Sequence, residues 1–135
     1  MIVPDTSAWV EYLRGSDHPV SVTLTALLEE LADIMLTECV FMEVMAGART
    51  QREAGQIRSV FAPFPTLVLD GRDDYEEAAR IYRSCRAAGR TLRSQVDCLI
   101  AVPVIKASAM ILHNDSDFDA IARHTELRIY PVDAE

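Results

Sequence analysis

Short apolar runs alternate along the chain with longer segments whose apolar positions recur at helical spacing. Residues 1–4 form an apolar run that stops on Asp5 and passes directly into an amphipathic stretch over 8–13, closed by Gly15. Pro4 cannot donate to a ladder, so it suits the last position of a strand. Residues 20–31 then set Val20, Leu24, Leu27, Leu28 and Leu31 on one helical face. The cycle repeats with a strand over 34–37, a helix over about 38–48 capped by Thr37, and a helix over about 51–61. Residues 66–69 read as the third strand, and 73–88 as a helix with Gly89 in the position after its last turn. Ser94 and Asp97 form an S-x-x-D capping pattern that opens the next helix. A strand over 109–113, a polar loop over 114–118, a short helix over 119–124 and a strand over 127–130 complete the alternation. Strands separated by helices predict an α/β fold with a parallel sheet covered on both faces.

Composition narrows this picture. The 135 residues, half apolar and a quarter charged, suit one domain with its own core. The longest uncharged apolar run, 98–105, has eight residues, against the roughly 20 of a membrane span. No basic leader precedes the first apolar residues, so neither a signal peptide nor a membrane partner is expected. The three cysteines, Cys39, Cys85 and Cys98, show no C-x-x-C spacing and read as core residues of a cytoplasmic protein. A net charge of −8 argues against binding nucleic acid over the whole surface. The charge is unevenly spread: 70–77 holds five acids against Arg72, while 80–93 holds five arginines and no acid.

Four acids stand where solvation explains them poorly. Asp5 ends the first strand, Glu43 lies among Phe41, Met42, Val44 and Met45, Asp97 is flanked by Val96 and Cys98, and Asp115 follows the fourth strand. Singly, each has a plainer reading: Asp97 as a helix-start acid, Asp115 and Asp117 as turn and cap residues, Glu43 as an exposed helix residue. Asp5 is the hardest to set aside, because Thr6 or Ser7 could cap the following helix in its place. Brought together by a doubly wound sheet, such carboxylates would repel strongly unless protonated or joined by a hard dication. Oxygen ligands without His or Cys favour Mg²⁺ or Mn²⁺ and phosphoryl chemistry over zinc hydrolysis.

The stretch 1–12 with Asp5-Thr6-Ser7-Ala8-Trp9, the Glu43-Val44-Met45-Ala46-Gly47 segment, Val96-Asp97-Cys98-Leu99-Ile100-Ala101 and His113-Asn114-Asp115-Ser116-Asp117-Phe118 together resemble PIN-domain ribonucleases. More narrowly, they resemble the VapC toxins of prokaryotic toxin–antitoxin pairs. The resemblance spans essentially the whole chain and implies one PIN domain over 1–135. Its implied fold is a three-layer αβα sandwich around a parallel, mostly five-stranded sheet of order 3-2-1-4-5. Implied metal ligands are Asp5, Asp97 and Asp115, with Glu43 binding directly or through water and Asp117 as a more variable auxiliary acid. Thr6 or Ser7 would hold a ligand or a substrate phosphate. The implied reaction is cleavage of RNA by a Mg²⁺- or Mn²⁺-activated water, and the implied partners are a VapB-like antitoxin and a second copy of the chain.

Within that resemblance, Arg90 and Arg93 read as a basic lip guiding RNA phosphates toward the metal. The plainer alternative has the arginines balancing the preceding acids, through Glu76–Arg80 and Glu76–Arg83 neighbours. The two helices over 8–31 serve either as an antitoxin groove or as an ordinary core-facing hairpin. His18, His113 and His124 read as turn, strand-end and helix-end residues. Pro103 departs from the family pattern and predicts a bend near 99–103, and 107–109 lacks the glycine often found at that helix end. A PIN domain that binds RNA without cutting is the nearest alternative, although all four acids are present. An aspartyl-phosphate phosphatase would need an acid where Ser7 stands, and a receiver-like signalling domain would need paired acids after the first strand and a lysine after the last.

Overall fold

Parallel strands and helices alternate throughout the computed structural model, which describes residues 1–132. In chain order the elements are β1 (Ile2–Pro4), α1 (Thr6–Leu13), α2 (Pro19–Glu29), β2 (Leu36–Thr37), α3 (Glu38–Ala46) and α4 (Gln51–Phe61). They continue with β3 (Thr66–Leu67), α5 (Gly71–Ala87), α6 (Val96–Lys106), β4 (Met110–Leu112), α7 (Ser116–Arg123) and β5 (Arg128–Ile129). The strands are two or three residues long; β1 runs directly into the Asp5 helix cap and β2 ends on the Thr37 cap.

β1 lies between β4 and the β2 edge. Val3 faces Ile111 in the β1–β4 register, Ile111 faces Ile129 in β4–β5, and Leu36 faces Thr66 in β2–β3, all parallel. A single parallel bridge, Ile2 to Ile34, joins the two parts, with Ile2 N–H donating to the Asp33 carbonyl at 2.8 Å and Met35 N–H to that of Ile2 at 3.0 Å. The expected order 3-2-1-4-5 is therefore present, as a three-stranded ladder and a two-stranded one sharing that junction. Helices α1 to α4 pack as one group and α5 to α7 as another, with α3 also touching α6. The layers close on Val3, Trp9, Leu24, Ile81, Ile100, Ile111 and Phe118, all fully buried.

Three local expectations need adjusting. Pro103 does not interrupt its helix: α6 runs unbroken to Lys106. Proline costs a helix interior about 3 kcal/mol, but Pro103 forfeits one hydrogen bond near the end of a helix locked by buried Ile100, Ala101, Val102 and Val104. Ser108 stands in for the missing glycine, taking φ 53° so that its own N–H reaches the Ile105 carbonyl and the next N–H reaches that of Val104. The second correction concerns charge pairing on α5, where Arg80 pairs with Glu77 at 2.5 Å rather than with Glu76. Ser94 likewise accepts from Val96 N–H at 3.1 Å, one position earlier than the S-x-x-D pattern predicts. Gly89 does occupy the left-handed position after α5, at φ 92°.

Candidate metal centre

Asp5 meets α1 as its N-cap, the role that Thr6 or Ser7 could have taken. Its Oδ1 accepts from Ala8 N–H at 2.9 Å and from Ser7 Oγ at 2.7 Å. Ser7 Oγ in turn accepts from Asn114 N–H at 2.8 Å, tying the loop after β1 to the loop after β4. Asp5 is 3 % exposed. Its Oδ2 has no protein donor among the described residues, so one oxygen secures the helix and the other is free for a ligand.

The remaining acids arrive on three other elements. Asp97 stands in the first turn of α6, 9 % exposed. Asp115 caps α7, its Oδ1 accepting from Asp117 N–H at 3.0 Å. Asp97, Asp115 and Asp117 each offer an oxygen, and these oxygens lie within 4.8 Å of one another. Glu43, on the middle of α3, accepts from Thr6 Oγ1 at 2.5 Å.

The charges are costly to keep together. Burial pushes the Asp5 carboxyl up to about 7, outweighing the Ser7 and Ala8 hydrogen bonds, and the charges of Asp115 and Glu43 raise it further. Asp97 is likewise pushed to about 7, first by burial and then by Asp115, Asp5, Glu43 and Asp117. All four of the other acids are thus within electrostatic reach of Asp97. Asp117 behaves differently. Burial raises it, but the hydrogen bonds from Arg90 and Arg93 outweigh burial and hold its carboxyl below the usual range.

Arg90 and Arg93, expected as a basic lip, are ion-paired with the acids of the centre. Arg90 Nη2 donates to Asp117 Oδ1 at 2.6 Å and to Ser116 Oγ at 3.1 Å. Arg93 gives its backbone N–H to Asp117 Oδ2 at 3.0 Å and its Nη2 to Asp115 Oδ1 at 2.6 Å. Both face the acidic cluster. Sequence reasoning also missed His113, whose Nδ1 accepts from Asp115 N–H at 3.0 Å while Nε2 lies 3.2 Å from Asp119. A histidine two residues before an acid that caps a helix is the signal that could have revealed it.

An all-oxygen donor set with a free Asp5 Oδ2 and two carboxyls pushed up by burial and then by neighbouring acids fits a hard divalent cation. The chain matches the family described as PIN domain over residues 2–124. It belongs to the PIN-domain family. It is 43 % identical over 129 residues to a VapC ribonuclease of Mycobacterium bovis, covering 95 % of this chain and 96 % of that protein. Ribonuclease VapC11 of Mycobacterium tuberculosis shows the same identity and coverage. VapBC2 from Rickettsia felis, solved bound to a promoter DNA fragment, superimposes with a TM-score of 0.74 at 15 % identity, covering 98 % of this chain and 100 % of that one. This PIN domain therefore shares its fold with toxin–antitoxin proteins and most of its length with VapC ribonucleases.

Proposed function

We propose that this PIN domain is a Mg²⁺- or Mn²⁺-dependent endoribonuclease toxin of the VapC type. The observation that carries the reading is the meeting of Asp97, Asp115 and Asp117 oxygens within 4.8 Å, beside an Asp5 with one oxygen free. Asp5, Asp97 and Asp115 would hold the dication, with Glu43 binding directly or through water and Asp117 as an auxiliary. Held by these carboxylates, a dication would supply charge neutralisation, Lewis acidity toward a phosphodiester and a more acidic water. The chain's own residues do the positioning. Thr6 aims Glu43, Ser7 fixes Asp5 against the loop after β4, and His113 holds the Asp115 backbone.

A VapB-like antitoxin is the partner this reading assigns. A groove of about 730 Å³ between α2, α4 and the approach to β2, lined by Tyr12, Leu28, Ala32, Val60 and Phe64, supports an apolar segment of such a partner. Among the described residues no helix is long and apolar enough to cross a membrane. A cytoplasmic homodimer acting on cellular RNA completes the proposal. The test is cleavage of total RNA with Mg²⁺ or Mn²⁺, with and without EDTA, by wild type and by Asp97→Asn. Chelation abolishes cleavage, and the variant loses about a hundredfold or more. Cleavage that survives both would remove the mechanism.

A further inference from the structure

Arg90 and Arg93 reach the same acids but are held in different ways. Asp117 is 1 % exposed at its side chain, and Arg90 and the Arg93 backbone N–H occupy both of its oxygens. That arrangement cannot be opened without leaving a buried charge unpaired. The Arg93 side chain is 73 % exposed and rests by Nη2 on Asp115 Oδ1, the same oxygen that accepts from Asp117 N–H. Its Nε stands a longer 3.4 Å from Asp117 Oδ2. An exposed guanidinium on a partly exposed carboxylate is a weak ion pair that side-chain rotation alone can break.

Asp115 is also one of the three acids whose oxygens converge. Guanidinium and dication therefore compete for its negative charge. We propose that Arg93 is the mobile counter-ion of the acidic cluster: it neutralises Asp115 in the metal-free protein, yields to the dication, and then turns outward to an RNA phosphate. Arg90 stays in place as the anchor of Asp117 and of the loop that carries Arg93. The proposal rests on the metal-dependent reading above. It gives a chain with a net charge of −8 one cation that becomes available to RNA when the centre is loaded. By linkage, metal and RNA then favour each other's binding to the same extent.

The experiment is calorimetric titration of Mn²⁺ into RNA-free wild type, Arg93→Gln, Arg93→Lys and Arg90→Gln, with melting temperatures of each in EDTA and in saturating Mn²⁺. Arg93→Gln binds Mn²⁺ about two- to fivefold more tightly, the range set by an exposed ion pair. Its melting temperature is lower than wild type in EDTA and equal in Mn²⁺, and its KM for RNA rises. Arg93→Lys keeps the charge and returns both readings toward wild type. Arg90→Gln melts lower under both conditions, because Asp117 stays buried without its partner. An Arg93→Gln protein with unchanged Mn²⁺ affinity, or with the same melting deficit in EDTA and in Mn²⁺, shows a merely structural arginine and overturns the proposal. Wild type that binds no Mn²⁺ overturns the proposal and the metal-dependent reading together; wild type that binds while Arg93→Gln matches it sinks the counter-ion alone.

Discussion

Replacing Asp5 by Asn should make the metal-free protein more stable. The carboxyl loses its proton near 3.8 in the unfolded chain but only at about 7 in the folded one. Between those values the folded state carries the extra proton, so stability falls as pH rises through that window. A rise from 3.8 to about 7 corresponds to about 4 kcal/mol by the alkaline end. Asparagine has no such charge. Its Oδ1 can still accept from Ala8 and Ser7, while an amide NH₂ takes the place of the free Oδ2 and faces the neighbouring acids. Retaining roughly half to all of the charge relief gives about 2–4 kcal/mol, or about 7–14 °C in Tm for a chain of this size. The assay is thermal melting in EDTA at about pH 8, 6 and 4, where the gap should shrink with acidification and close near the last value. Added Mn²⁺ should raise the wild-type Tm and leave the variant's nearly unchanged. Equal melting temperatures in EDTA at about pH 8, or a gap that persists undiminished in acid, would refute the reasoning.

Two further outcomes follow from the same contacts. Thr6→Val removes the donor that aims Glu43 and should lower RNA cleavage about ten- to a hundredfold while melting within a few degrees of wild type, as circular dichroism and initial rates would show. Full activity in this variant would separate Glu43 from the chemistry. Ser108→Gly relieves the left-handed backbone after α6 and should raise stability by about 0.5–1 kcal/mol, read as a higher denaturation midpoint with unchanged slope. A lower midpoint would mean that the Ser108 side chain contributes more than its backbone costs.

Periodicity reached most of the fold because each element's apolar face faces a neighbour that the sequence also supplies. The helix Gln51–Phe61 matches its sequence-based bounds, and the alternation predicted the parallel sheet, while its order came from the family resemblance. Strand lengths were less legible. β1 and β2 end where the sequence places their ends, beside the Asp5 cap and on the Thr37 cap, while β3, β4 and β5 stop a residue or two early. Pro103 is read differently for another reason: propensity is local, whereas the burial that keeps α6 continuous is collective. At the centre, the acids were visible as residues out of place, but their counter-ions were not. Arg90 and Arg93 lie more than 20 residues from Asp115 and Asp117, and pairing across that distance depends on how the α5–α6 loop folds back.

The lone bridge between Ile2 and Ile34 has a consequence for the centre itself. Glu43 is carried by the helix after β2, on one side of that junction, while Asp5, Asp97 and Asp115 belong with the β1–β4 side. The fourth carboxylate is thus brought in across the most thinly stitched line of the sheet, with Thr6 as its clasp. What keeps Glu43 with its companions is therefore helix packing, α3 against α1 and α6, more than strand pairing. The assembled centre would then last as long as those helices hold together, and activity and fold would be lost in one step.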